Sequence, residues 1–265
     1  MVYSVNGTFL MKMNPSVKLL CLLAIFGLVV FIHNPNVLLF MLASFLVMTV
    51  FFSGHPKRYV SLYIASFLFL FVSASTTMIF FGQGQTTWFQ WGLVHITEES
   101  FYTGIHLGLR ATLFATLGLL FLLTTKPVHL FYSLMQQLHM PPTYAYAFLA
   151  AVRMLPMMVE DYQTLRYAYR IRGKGRKQKG SRLYRAFSFY VIPLLTQAIR
   201  RAQRLAIAME AKQFQEHGQN RTYFYTMRCR RLDGQIVFVL VGLIVITYSL
   251  GQWFPVFPTS DIRLS

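Results

Sequence analysis

Gly175-Arg176-Lys177-Gln178-Lys179-Gly180-Ser181 opens with the glycine spacing of a phosphate-binding Walker A loop. Such a loop needs a lysine and then Ser or Thr after its second glycine, because that lysine neutralises the terminal phosphates. Ser181-Arg182 stands there instead and no strand precedes it, so the stretch reads as a solvated basic turn and the chain as no ATPase. Carboxylate chemistry within a membrane is the next possibility, since proton or sodium coupling usually needs a titrating group there. The apolar runs Val17–Ile32, Val37–Phe52, Tyr59–Phe81, Gly104–Thr125 and Ile236–Phe254 contain no Asp or Glu, which argues against a self-sufficient secondary transporter. Their notable charge is Arg110, one turn after His106. It is either a functional membrane charge or a side chain that snorkels or bonds a neighbouring helix's carbonyl. The seven histidines are scattered, with no H-x-x-x-H pair, and no G-x-S-x-G motif occurs, so neither a bound metal, a cofactor nor nucleophilic catalysis is expected.

Two further stretches carry more information. Tyr169-Arg170-Ile171-Arg172-Gly173 and Ala208-Met209-Glu210-Ala211-Lys212-Gln213-Phe214 each close a long helical pattern on a basic residue. A cation suits a helix C-terminus, where the macrodipole is negative. The bland reading is capping plus adhesion to anionic lipid; the sharper one is a pair of rods presenting basic tips to an acidic partner.

The elements that must position these residues follow from composition. The 265 residues are 55% hydrophobic and 12% charged, against about 25% charged in soluble domains, and the mean hydropathy is +0.47. This excludes an ordinary globular enzyme, and 25 Phe with 15 Tyr exclude a solvated coil. The five apolar runs are candidate spans; the first two are short against the roughly 20 residues a bilayer asks for. The fold class expected is an all-α polytopic membrane protein.

Basic residues orient it. Residues 126–234 hold 19 of the 25 Lys and Arg with 5 acids, while the connections 33–36 and 82–103 hold none. Every basic stretch falls on one side if the N-terminus is cytoplasmic, which puts the C-terminus outside. The expected organisation is a four-span membrane region (1–125), a cytoplasmic helical module (126–234), and a last span with an external tail (235–265). Within the module, Pro127–Leu138 reads as a short amphipathic helix ahead of Pro141-Pro142. Long helices follow over 143–172 and 182–214, each about 45 Å by rise. Ala198, Ala202 and Ala206, spaced by four, form a small-residue stripe where another helix can cross closely.

The apolar stretches Tyr144–Val159 and Phe187–Ile199 open an alternative, a stand-alone seven-span permease or channel, although Arg153 and Pro156 interrupt the first. A membrane enzyme clamping an anionic lipid ranks last, for want of an acid, base, nucleophile or ligand set. Nucleic acid is not an expected partner despite the net charge of +17, because basic juxtamembrane segments more often meet anionic lipid or an acidic protein.

The stretches Arg153-Met154-Leu155-Pro156, Ile192-Pro193-Leu194-Leu195, Ala198-Ile199-Arg200-Arg201-Ala202 and Ala208-Met209-Glu210-Ala211, with Arg172-Gly173, together resemble the T component of energy-coupling-factor transporters, the EcfT/CbiQ family. Asn14-Pro15-Ser16-Val17-Lys18-Leu19 and Leu109-Arg110 fit the same pattern. The resemblance implies a non-catalytic coupling subunit of a bacterial cell-membrane importer. In the family, two long crossed cytoplasmic helices dock Ala-Arg-Gly-like ends into two ATP-binding-cassette ATPases, and the membrane helices grip a small substrate-binding S component. The implied ATPase contacts are Ile171, Arg172 and Gly173, and Ala211, Lys212 and Gln213, with Ala198, Ala202 and Ala206 at the crossing. The second motif departs from the pattern, with Lys212 for Arg and Gln213 for Gly, and Lys lacks the planar bidentate fork. The asymmetry implies two non-identical ATPase halves, or one ATPase with two domains, and a dedicated T component, nearest the thiamine or hydroxymethylpyrimidine permease subunits; a metal ion is the other cargo the family carries.

Overall fold

A computed structural model describes residues 13–52, 57–81, 87–91, 94–172, 182–214, 223, 225–227 and 231–257. Among them are eight helices: α1 (Pro15–Phe31), α2 (Pro35–Phe52), α3 (Lys57–Phe81), α4 (Glu98–Thr124), α5 (Pro127–Gln137), α6 (Pro142–Ile171), α7 (Arg182–Ala211) and α8 (Arg231–Trp253). A hairpin of β1 (Thr87–Trp91) and β2 (Val94–Thr97) precedes α4. The chain divides into two compact units, Met1–Lys126 with Met227–Ser265, and Pro127–Thr226.

The first unit holds the apolar helices. α3, α4 and α8 contain stretches long and apolar enough to cross a membrane, and α1 and α2 are shorter apolar helices. Their starts are chemically marked. The Asn14 side chain accepts from Ser16 N at 3.3 Å and Pro15 occupies the first turn of α1, where its missing N–H loses nothing. α4 begins at Glu98, six residues before the apolar run at Gly104. Thr97 Oγ1 accepts from Ser100 N at 3.2 Å, and Glu98 and Glu99 lie at the positive end of the helix dipole. The connection read as loop over 82–103 thus contains a hairpin, in which Phe89 pairs with Ile96 and Trp91 with Val94, and the first turn of α4.

α2 and α4 form the centre. Val37, Leu38, Met41, Leu42 and Phe45 make one buried stripe of α2, and Leu109, Leu113 and Leu117 one of α4, joined by Ile25 and Val29 of α1 and Ile236 and Leu240 of α8. Glycines set the closest approaches. A Cβ on Gly104 would lie 2.6 Å from Ile79 Cγ1, and one on Gly108 would strike Ser75 Oγ and the Phe71 ring. Gly104-x-x-x-Gly108 is therefore the face of α4 that α3 lies against, the small-x-x-x-small contact of membrane helices. A Cβ on Gly251 of α8 would come within 2.6 Å of Val37 Cα, so α8 and α2 meet backbone to backbone.

The second unit contains α5, α6 and α7. The ring of Phe131 in α5 stacks on Phe148 of α6 at 4.9 Å, and Gln136 Nε2 donates to Tyr225 O at 2.6 Å. α6 and α7 are 30 residues each and carry one internal proline, Pro156 and Pro193. Neither is among the described helices long and apolar enough to cross a membrane.

Candidate functional site

α6 and α7 run in opposite directions. Tyr146 near the start of α6 meets Phe214 just past the end of α7, Asp161 meets Arg201, and Tyr169 near the end of α6 meets Phe189 and Tyr190 near the start of α7. The central contact is a two-pronged ion pair, Arg201 Nη1 to Asp161 Oδ2 at 2.6 Å and Nη2 to Oδ1 at 2.9 Å, with Gln197 Nε2 adding a bond at 3.2 Å. Its side chains are about four-fifths buried, and the fork geometry makes it directional as well as attractive.

This arrangement puts the two basic helix ends at opposite ends of the pair. Asp161 lies ten residues before Ile171, and Arg201 ten before Ala211, so each end sits about 15 Å along its helix from the ion pair. Ile171 is 86% exposed and Arg172 is exposed, with the Arg172 N–H bonded to Ala168 O and Arg170 O. Ala211, Lys212 and Gln213 are exposed as well. Gly173 and the 175–181 turn lie outside the described residues.

The second end is a complete Schellman motif. Gln213 has φ 52°, its N–H reaches Glu210 O at 2.8 Å, and Phe214 N reaches Met209 O at 3.0 Å. The left-handed position that glycine fills in most such caps is thus held by Gln213, with a side chain that strains it. Gln213→Gly is expected to stabilise this helix end by about 1 kcal/mol. Hydrogen exchange over 210–214 should show slower opening; faster opening would contradict the cap.

The alanine stripe is placed differently from the helix–helix contact. Ala198 is half-buried and Ala202 and Ala206 are exposed, continuing a stripe with Ile192, Leu195 and Ile199, which are 49–57% exposed. Contacts between α6 and α7 run through Tyr190, Gln197 and Arg201.

Arg110 sits in the other unit. Its Nη2 donates to Ile32 O, the carbonyl closing α1, at 2.8 Å, and lies 3.4 Å from His106 Nε2. His33 stacks near His106 with ring centroids 6.3 Å apart. A guanidinium on the negative end of α1 realises the neighbouring-carbonyl reading of this charge. Beside it, Asn36 Oδ1 accepts from Val256 N and Phe257 N at 2.9 and 2.7 Å and its amide donates to Phe257 O, so the α1–α2 turn and the end of α8 share one end of the unit.

The opposite end holds residues that the apolar-run reading passed over. The count of no acid in the spans is corrected by the helices themselves, which also take in Glu98, Glu99 and Asp233. Asp233, in the first turn of α8, is buried and accepts from Asn14 N at 2.9 Å. Lys18 is buried too, with Nζ donating to Thr124 O at 3.1 Å and Oγ1 at 3.3 Å. A charged residue one turn inside each helix start was the available signal.

Five apolar helices, with a basic three-helix unit inserted in the chain between the fourth and fifth, define a membrane protein whose basic residues are concentrated in that inserted segment. Residues 6–224 match the family described as cobalt transport protein, CbiQ. The chain belongs to that family, the T components of energy-coupling-factor transporters. It is similar to the energy-coupling factor transporter transmembrane protein EcfT of Brevibacillus brevis, 28% identical over 95% of this chain and 96% of the relative. Its likeness to EcfT of Ruminiclostridium cellulolyticum is 29% over 87% and 88%, and to EcfT of Listeria innocua 26% over 91% and 93%.

Proposed function

We propose that the chain is the coupling subunit of an ATP-driven importer, transmitting motion of cytoplasmic ATPases to a membrane S component that carries the cargo. The observation that carries this is the pair of exposed basic helix ends, at Arg172 and Lys212, held apart by the Asp161–Arg201 ion pair. A separation of about 30 Å along antiparallel helices suits two ATPase domains, one per end, better than a single site. Ile171, Arg172 and Gly173 form one contact, and Ala211, Lys212 and Gln213 the other. The Ala198, Ala202 and Ala206 stripe receives a crossing helix. Residues 127–226 lie on the cytoplasmic side with the N-terminus, and the C-terminus lies outside. ATP hydrolysis belongs to the partners. The cargo is a vitamin or related micronutrient, with thiamine or hydroxymethylpyrimidine favoured by the resemblance and a metal ion by the family's description.

The test is affinity purification of the tagged chain from native membranes in mild detergent, with identification of co-purifying proteins and an ATPase assay. Recovery of one or two ATP-binding-cassette ATPases and a small hydrophobic protein is the expected result, and that small protein then points to the cargo. A lone chain that moves solute in liposomes without ATP would overturn the proposal.

A further inference from the structure

We propose that Lys18 and Asp233 form a clasp through which the inserted unit's motion is delivered to the membrane helices, an inference that rests on the coupling role above. The inserted unit, Pro127–Thr226, has two covalent links to the rest of the chain. Both leave from the clasp. Thr124, which receives Lys18 through its carbonyl and hydroxyl, ends α4 three residues before α5 begins. Asp233, which receives the Asn14 N–H, follows Thr226 by seven residues in the first turn of α8.

The charges match the helix ends they serve. The Lys18 ammonium meets a carbonyl at the negative end of α4, where backbone acceptors lack intrahelical donors. The Asp233 carboxylate meets an N–H at the positive start of α1 while lying at the positive start of α8. Both residues are more than nine-tenths buried. Three helix ends are therefore tied by directional bonds to charged groups, whereas the core along the same helices is held by Leu, Val, Ile and Phe contacts, which are non-directional. A pull on either link reaches α1 through a hydrogen bond rather than through packing that can slide. Burying charged groups is a poor source of stability, since uncharged replacements of similar shape are often as stable, so transmission is the role that distinguishes these two sets of bonds.

The experiment uses the full complex of T component, ATPases and S component in proteoliposomes, comparing wild type with the double variant K18M/D233N. The double variant removes both buried charges of the clasp together, and the amide oxygen introduced by D233N would still accept from Asn14, so the fold is expected to survive. ATPase recovery and ATP hydrolysis should stay within about twofold while ATP-driven uptake falls about tenfold or more, a loss within the usual range of coupling free energies. Uptake and hydrolysis both retained, or both lost in an assembled complex, would overturn the clasp. Where the double variant does not assemble, Thr124→Val decides, since it keeps both charges while removing the hydroxyl that accepts from Lys18 and donates to Leu120 O within α4. Uptake reduced about threefold at unchanged hydrolysis supports the clasp, and unchanged uptake overturns it. Failure of the coupling reading itself would be seen in the wild type, as solute movement without ATPases.

Discussion

Arg172→Glu is expected to abolish ATP-driven uptake while leaving the protein inserted and folded. Arg172 is exposed, and it closes α6 through its backbone N–H rather than its side chain. A carboxylate there would oppose the helix dipole at a cost of about 0.3–1 kcal/mol, too little to unfold the unit. At an interface with an acidic partner, reversing a charge that pairs across it costs about 2–5 kcal/mol, which is tens to thousands-fold in affinity. The readout is ATPase co-purification and uptake, with thermal unfolding in detergent as the control for folding. Lys212→Glu should act in the same direction but less strongly, because an ammonium lacks the bidentate fork of a guanidinium. Normal uptake in the Arg172→Glu variant would sink the coupling assignment.

The second large effect belongs to the membrane unit. Gly251→Val should destabilise the protein by about 3 kcal/mol or more, at the upper end of overpacking penalties. The reason is the identity of the obstacle. At Gly251 an added Cβ meets Val37 Cα at 2.6 Å and Val37 N at 2.8 Å, so α2 itself would have to move. At Gly104 an added Cβ meets Ile79 Cγ1 at 2.6 Å and the Ser75 carbonyl oxygen at 3.0 Å, a single backbone atom at the longer distance, and the effect of alanine there should be smaller. Gly242, with open space around its Cβ position, is the internal control. Alanine at 242 should be neutral or stabilise by up to about 1 kcal/mol through helix propensity alone. Unfolding midpoints measured side by side in one detergent separate the three; equal behaviour at 251 and 242 would refute the backbone contact.

The apolar runs located five apolar helices to within a few residues, three of them long enough to cross a membrane, because transfer of an apolar side chain out of water is a local property of the sequence. The ends were read less well. A hydropathy window leaves Asp233 outside the last run and absorbs Lys18 into the first, since it scores each charge alone, whereas burial becomes tolerable only when a partner arrives from another helix, here Asn14 and Thr124. The β1–β2 hairpin was visible in principle in Thr87-Trp88-Phe89-Gln90-Trp91, an aromatic-rich run with high strand propensity. Gly104-x-x-x-Gly108 was legible as a motif, and its partner Ser75 was not. The basic helix ends of α6 and α7 stood out in the sequence. What the sequence did not disclose was that Asp161, 40 residues from Arg201, would fix the helices side by side in opposite directions. That pairing is non-local, and no periodicity within either helix encodes it.

The Asp161–Arg201 bond divides both rods alike, leaving ten residues between it and each motif. In mechanical terms it is a fulcrum with equal arms of about 15 Å. If the pair turns about this point as a rigid beam in the proposed coupling role, motion imposed at one tip returns at the other with the same amplitude and opposite sense. One extra helical turn on either side, about 5.4 Å, would lengthen that arm, and the stroke of its tip, by about a third relative to its mate. The spacing from 161 to 171, and from 201 to 211, is thereby constrained in length more tightly than in composition.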